Sequence, residues 1–347
     1  MKRIYTSILY ISVVITILGC AKETKVGPND ANKRFLEAWM QVNHPGVDPT
    51  GLGIYILEDT EGTGTTVEKG GFAIVDYTVT DLEGNISSYT SKETAKQLGQ
   101  YDTAHYYGPK VWTTTESTIQ AGLADALIGM KTGGKRKVII PSWLMTYKVY
   151  DSSEDYLNPP KKKKDEETTS TGYDNTVYEF TVRDFVKDIS TWEIGNIGTY
   201  LESAPSLGLT VADSLQYGFY YKQLTAPTDT TSFKQDTTIY INYTGKLLNG
   251  LVFDTTDERT AKDCGIYSPS RSYKPVSVSW GEKYTDIKMS GSTIIGGFGL
   301  TLWQMRPFEK GVGIFYSPLG YSYSGSGASI PGYAPLIFEI EIVKKPE

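Results

Sequence analysis

An internal repeat constrains the fold of this chain more than any other feature of its sequence. Residues 75–78 (VDYT) recur as 241–244 (INYT), and Gly84 recurs as Gly250. The two matches share one spacing of 166 positions (243 − 77 and 250 − 84). A constant spacing indicates a duplicated domain. The length of 347 residues agrees, because single cores rarely grow beyond about 250–300 residues.

Each copy is predicted to contain several strands and one short helix. The chain has 35 Gly and 26 Tyr residues, a composition that favours many short strands joined by turns. The helices are expected at about 122–128 and 297–304, and alternating final strands at 177–185 and 336–343. Strands wrapped on a helix define an α+β fold. Between the copies, residues 190–193 (STWE) have capping-box spacing and predict a helix to about Leu201.

These patterns divide the chain into five segments. We expect a signal peptide at 1–19, a tether with a short helix at 20–47, a first domain at 48–188, a helical connector at 189–216 and a second domain at 217–347. The tether is polar and contains Gly27 and Pro28, as expected of a flexible spacer.

The N-terminus resembles that of a bacterial lipoprotein. Lys2 and Arg3 precede an apolar stretch at 8–18, and residues 17–20 (ILGC) end it. The resemblance implies lipidation of Cys20 after cleavage, with an uncleaved anchor as the alternative. Residues 21–23 (AKE) loosely resemble the surface-export signal of lipoproteins from Bacteroidetes. We therefore expect a lipid-anchored protein of the cell envelope, on the periplasmic or surface face of the outer membrane.

Charge and metal-ligand content exclude several classes of function. The net charge is −6, and the only basic run, 161–164, is followed directly by the acidic residues 165–167. Nucleic-acid binding needs a concentrated cationic surface, so no nucleic-acid partner is expected. Once Cys20 is lipidated, Cys264 is the only other cysteine, and the chain has two His residues. A metal site is therefore not expected.

The second copy resembles the FKBP family of peptidyl-prolyl isomerases. The resemblance is carried, in order, by residues 242–245 (NYTG), 249–256 (NGLVFDTT), 294–298 (IIGGF) and 336–340 (LIFEI). In the first copy, residues 129–141 (GMKTGGKRKVIIP) match another family signature. The resemblance implies two FKBP-like domains, each a curved antiparallel sheet wrapped around a short helix.

The family pattern implies an apolar proline pocket in the second copy. The catalytic positions that it implies are Tyr243, Phe253, Asp254, Ile295, Phe298 and Tyr323. The substrate-binding positions are Arg259, Val276, Ile294, Ile330 and Phe338. Phe298 stands where the family usually has Trp, and Tyr321 is a rival to Tyr323 as the tyrosine that binds substrate. Arg259 is the expected partner of Asp254, five residues after it.

The first copy departs from the family pattern at the pocket. Ser87 and Ser88 replace the Phe-Asp pair, and 119–123 (IQAGL) replaces the apolar pair and the aromatic floor. Of the aromatic walls, Tyr77 and Tyr178 are kept. A polar insertion at 151–175 interrupts the region of the flap. We interpret this copy as a scaffold or a peptide-binding module.

The expected activity is isomerisation of X-Pro bonds without cofactor or metal. Its partners would be proline-containing segments of exported or envelope proteins, and the membrane through the lipid anchor. Two other functions stay open: a non-catalytic surface lipoprotein that binds peptides or a partner, and a structural component of the envelope.

Overall fold

Two antiparallel sheets form the framework of the computed structural model, which describes residues 27, 29–160 and 174–346. The strands of the first sheet are β1 to β6, at Tyr55–Thr60, Phe72–Thr80, Ile86–Tyr89, Lys110–Thr113, Lys135–Ile140 and Thr176–Val186. The strands of the second are β7 to β14, at Phe219–Thr225, Thr238–Leu247, Val252–Thr255, Val276–Ser279, Lys288–Met289, Ser292–Thr293, Lys310–Phe315 and Leu336–Val343. We call the chain around these sheets the first and second domains.

The α-helices of the described residues are short and few, so the α+β class expected from the sequence is confirmed. They are α1 to α7, at Asp30–Asn43, Lys92–Gln97, Ala121–Leu127, Ser153–Leu157, Ile189–Ser203, Glu258–Asp263 and Gly296–Gln304. Helices α3 and α7 each lie within one residue of the range predicted for them.

The two sheets share the order of six strands, and the second sheet adds β11 and β12 beyond β10. In the first sheet the order is β1-β5-β6-β2-β3, with β4 also on β2. In the second, β7, β13, β14 and β8 take the same places, with β9 and β10 on β8. Gly84 and Gly250, at the matched turns, have φ angles of 90° and 87°, a left-handed conformation that favours glycine. The repeat in the sequence is therefore a repeat of topology and of turn geometry.

Each sheet has its own apolar core. In the first domain, Leu127 on α3 and Val138 on β5 are fully buried, and α1 adds Leu36 and Met40 to the same cluster. In the second, residues on β8 alternate between buried and half-buried, as expected for a strand with one face on the core. That alternation directs Ile241 and Tyr243 to the same face as helix α7.

The connector helix α5 packs on the second domain. Its Ile197 and Leu201 are buried against Tyr220, Ile314 and other residues of the second sheet. The predicted capping box is wrong: Asp188 is the N-cap and accepts a hydrogen bond from the Ser190 N–H. Glu193 points instead toward the second domain, where its carboxylate accepts hydrogen bonds from the Ser317 N–H and hydroxyl at 2.6 and 2.7 Å.

Candidate functional site

A cavity of about 570 Å³ lies between the second sheet and the start of α7. Most of the residues that the family pattern implies line this one cavity. The lining residues are Tyr243, Phe253, Asp254, Arg271, Met289, Thr293, Ile294, Ile295, Phe298, Tyr321, Ser326, Ser329, Ile330 and Phe338.

Four aromatic rings converge on the cavity. Phe338 is central: its ring centroid lies 4.9 Å from that of Phe298, 5.6 Å from that of Phe253 and 6.2 Å from that of Tyr243. The Phe298 and Phe253 rings meet Phe338 edge-on, at 83° and 74°. Edge-to-face packing fixes the orientation of each ring and leaves an apolar hollow between them.

Gly245 on β8 makes room for this arrangement. It lies opposite Phe338 in the register of β14 and β8. A Cβ at Gly245 would lie 2.5 Å from the Phe253 ring and 2.8 Å from the Phe338 ring, closer than side chains tolerate. The glycine of the 242–245 segment is therefore required because two rings of the wall pack directly on its backbone.

The Asp254 carboxylate is held from two sides. The Tyr243 hydroxyl donates a hydrogen bond to Oδ2 at 2.6 Å, and the Arg271 guanidinium forms an ion pair with Oδ1. Burial, and then the charge of Asp254, raise the pKa of Tyr243, so this hydroxyl stays protonated and remains a donor.

The first turn of α7 supplies the floor and a main-chain donor. Ile295 is the N-cap residue of α7, and Phe298 lies in the first turn of that helix. The first N–H groups of a helix have no carbonyl partner within it, so the Ile295 N–H can bind a carbonyl oxygen in the cavity. Ile294 lines the wall beside it.

The structure corrects the expected role of Arg259. Its side chain is 91% exposed and pairs with Asp263 at 3.7 Å on the outside of α6. Residues after Asp254 fold into α6 and a loop, so the five-residue spacing carries Arg259 away from the carboxylate. Arg271, beyond that loop, forms the ion pair instead.

Two further expected site residues lie elsewhere. Val276 pairs with Ile241, before the part of β8 that lines the cavity, and packs half-buried against the core. Tyr323 is 72% exposed, whereas Tyr321 lines the cavity. The chain turns at Ser322, which has a φ of 53°, so the two tyrosines point in different directions. Both placements correct the sequence-based expectation.

The loop that carries Arg271 could have been located from the repeat, although the repeat does not single out the arginine. Residues 99–109 (GQYDTAHYYGP) and 265–275 (GIYSPSRSYKP) share Gly, Tyr, Tyr and Pro at the same spacing of 166 positions. The local geometry is also shared: the Tyr107 and Tyr273 hydroxyls accept hydrogen bonds from the N–H groups of Asp102 and Ser268. Arg271 corresponds to His105 in this alignment. Met289, Thr293, Ser326 and Ser329 also line the cavity and carry no such signal.

Comparison with known proteins identifies the family. The family model described as FKBP-type peptidyl-prolyl cis-trans isomerase matches residues 229–343, the region of the cavity. FK506-binding protein 2 of Dictyostelium discoideum is 30% identical over 139 residues, which cover 40% of this chain and 85% of that protein. The chain belongs to the FKBP-type peptidyl-prolyl cis-trans isomerase family.

One further relative and one solved structure are also similar to this FKBP chain. A "Probable FKBP-type peptidyl-prolyl cis-trans isomerase" of Haemophilus influenzae is 30% identical over 128 residues, which cover 37% of this chain and 43% of that protein. The solved structure of the three FKBP domains of wheat FKBP73 aligns with 84% of this chain and 93% of its own, at 13% identity and a TM-score of 0.27.

In the first domain, the place that matches the cavity of the second domain is lined by different side chains. Ser88 pairs with Val79 where Asp254 pairs with Gly245. The Trp112 indole packs against Tyr77 at 5.2 Å and against Tyr178 at 6.2 Å, the counterparts of Tyr243 and Phe338. An aromatic side chain of the same domain thus contacts the rings that in the second domain line the cavity.

The described residues contain neither a metal-binding cluster nor a membrane-spanning helix. Within 29–160 and 174–346, no group of three or more His, Cys, Asp and Glu residues is placed to hold a metal ion. None of the helices described is both long and apolar enough to cross a membrane. Cys20 lies outside the described residues.

Proposed function

We propose that this FKBP-family chain catalyses cis–trans isomerisation of X-Pro peptide bonds in its second domain, and that its first domain lacks this activity. The observation that carries the proposal is the convergence of four rings, the Asp254 carboxylate and the start of α7 on one cavity. The family to which the chain belongs supports the reaction class.

The pocket favours the twisted peptide bond over the planar one. Rotation about the bond has a barrier of about 18–20 kcal/mol, because amide resonance must be broken. Resonance places charge on the carbonyl oxygen, and water stabilises that charge. An apolar, aromatic-lined pocket withdraws this stabilisation from the planar form, so the twisted form is bound more tightly.

Each group in the cavity has a role in holding the substrate. The prolyl ring would rest on Phe298 between the Tyr243, Phe253 and Phe338 rings. The Ile295 N–H would bind a substrate carbonyl, and the Asp254 carboxylate would lie near the rotating bond. No group needs to give or take a proton, since no covalent bond is made or broken.

The proposal is tested with the full chain on a peptide whose X-Pro isomerisation can be followed. We expect Phe253→Ala to lower kcat/KM at least tenfold, because a wall ring is lost, and Asp254→Asn to lower it because the Arg271 ion pair is lost. Ser87→Ala and Ser88→Ala change the matched positions of the first domain and should leave kcat/KM unchanged.

Two results would contradict the proposal. An inactive parent chain that still binds proline peptides would support the binding-only alternative. Loss of activity in the Ser87→Ala or Ser88→Ala variant would show that the first domain takes part in catalysis.

We also propose that the chain acts at the cell envelope, anchored through lipid on Cys20, on proline-containing segments of exported proteins. The basic and apolar residues before Cys20 support this location. Two acyl chains would give stable anchoring. Labelled fatty acid should enter the parent chain but not the Cys20→Ser variant; equal labelling of both would contradict the anchor.

A further inference from the structure

One segment of the first domain contacts two segments of the second domain that lead to residues lining the cavity. The Thr103 hydroxyl donates a hydrogen bond to the Gly265 carbonyl at 3.1 Å. The Tyr106 N–H donates to the Ala328 carbonyl at 2.9 Å. The Tyr106 ring is half-buried and packs against the core of the second domain.

The first contact is at the base of the loop that carries Arg271. Gly265 follows α6 with a φ of 72°, and the loop from there leads to Arg271 and its ion pair with Asp254. A Cβ at Gly265 would overlap the Thr103 side chain, so the two segments meet closely. The contact with Thr103 therefore restricts the loop whose Arg271 holds the Asp254 carboxylate.

The second contact is at the tip of the flap hairpin, which we define as residues 326–330. Ser326 and Ile330 exchange main-chain hydrogen bonds of 2.8 and 3.1 Å, and Ala328 lies between them. Ser326, Ser329 and Ile330 line the cavity. Tyr106 thus holds the tip of a hairpin whose sides form one wall of the pocket.

The repeat explains why this segment of the first domain is available to contact the second domain. Its counterpart at 265–275 delivers Arg271 to the second domain's own carboxylate. In the first domain Ser88 stands in place of that carboxylate, and His105, the counterpart of Arg271, stacks on Tyr107 at 4.6 Å. The segment 99–109 has no carboxylate to hold and contacts the neighbouring domain.

We propose that Thr103 and Tyr106 are positioning residues that hold the flap hairpin and the Arg271 loop in place, so that the first domain sets the substrate affinity of the second. The inference rests on the proposed isomerase function. Ordering a flexible residue costs about 1–2 kcal/mol. If the hairpin is already ordered before the substrate binds, part of this entropic cost is not incurred on binding.

The test uses the full chain and two readouts. Thr103→Val removes the donor, and Tyr106→Ala removes the ring that anchors the segment; Thr103→Ser and Tyr106→Phe keep the donor and the ring. We expect KM to rise about threefold to tenfold in Thr103→Val and Tyr106→Ala, with kcat unchanged, because the first variant loses one net hydrogen bond and the second loses the packing of its ring. The conservative pair should match the parent. Hydrogen exchange at the Ser326 and Ile330 amides should accelerate in the same two variants.

The readouts separate this inference from the isomerase function. If the parent chain is inactive, the function fails, and exchange at Ser326 and Ile330 still decides whether the first domain holds the hairpin. Unchanged exchange and unchanged KM in Tyr106→Ala would overturn the inference. A lower melting temperature with unchanged KM and exchange would also overturn it, because the contact would then be structural only.

Discussion

At the scale of single residues, the proposed activity depends on how Asp254 is held. Tyr243, on the neighbouring strand, donates to one carboxylate oxygen, and Arg271, from a loop after α6, pairs with the other. The Arg271 guanidinium also lies 5.5 Å from the centre of the Tyr273 ring. The side chain is therefore oriented by an aromatic neighbour as well as by its acidic partner.

We predict that Arg271→Leu lowers kcat/KM for X-Pro isomerisation about tenfold. Hydrogen bonds to charged groups contribute about 1.5–3 kcal/mol, and about 1.4 kcal/mol corresponds to a factor of ten. Arg259→Leu is the matched control, since Arg259 is exposed on α6 and should leave the rate unchanged. The opposite order of effects in steady-state kinetics would mean that the two arginines have been assigned the wrong way round.

At the scale of elements, the packing of α7 on β13 depends on adjacent glycines with different surroundings. A Cβ on Gly297 would overlap the Phe315 ring on β13. A Cβ on Gly296 would meet its nearest neighbour, in Leu319, at 3.6 Å, an ordinary van der Waals distance. One glycine is required for close packing, and the other is not.

We predict that alanine has opposite effects at these neighbouring positions. Gly297→Ala should lower the free energy of unfolding by about 1–3 kcal/mol, because the core is overpacked. Gly296→Ala should be neutral or stabilising by up to about 1 kcal/mol, because alanine loses less backbone entropy in a helix. Urea unfolding of both variants measures the difference. Equal destabilisation would show that Gly296 is also confined.

At the scale of the whole molecule, Glu193 fixes the connector to the second domain. Its side chain is fully buried, and both oxygens accept hydrogen bonds from Ser317, which begins the turn leading to Tyr321. Burial raises the pKa of Glu193 to about 7, although the Ser317 hydrogen bonds oppose the increase. Burial raises the pKa values of Tyr316 and Tyr333, and the charge of nearby Glu193 adds to both increases.

Glu193 should make stability fall as pH rises. Between the ordinary pKa of 4.5 and the folded pKa of about 7, the native state keeps a proton that the unfolded chain has lost. The free energy of unfolding then decreases with pH across this window and levels off above it. The loss is on the order of 3 kcal/mol, since each pH unit corresponds to about 1.4 kcal/mol.

Glu193→Gln should remove this slope and leave the variant more stable than the parent at pH 8. Glutamine keeps an oxygen that accepts from Ser317 and carries no charge. Glu202→Gln, at an exposed position of the same helix, should keep the slope of the parent. Urea unfolding between pH 4.5 and 8 measures both. Parallel curves for parent and Glu193→Gln would refute the assignment.

Local patterns in the sequence were sufficient for the duplication and the fold class, and the resemblance to the FKBP family pointed to most of the expected residues that line the cavity. Tyr243 could be placed because it lies in a short motif that resembles the FKBP family, and the spacing of 166 positions linked the two domains. Phe253, Phe298 and Phe338 lie in short motifs attached to single strands or to one helix. Each motif can be recognised from a few consecutive residues, without reference to the rest of the fold.

Only the tertiary structure decided which residues complete the site and what the first domain contacts. Arg271 replaces Arg259 because α6 and its loop make distance along the chain a poor guide to distance in space. Tyr321 replaces Tyr323 because a left-handed residue between them reverses the chain. The contacts of Glu193 and Tyr106 join distant segments, and such pairings depend on how two finished domains pack, which no local pattern encodes.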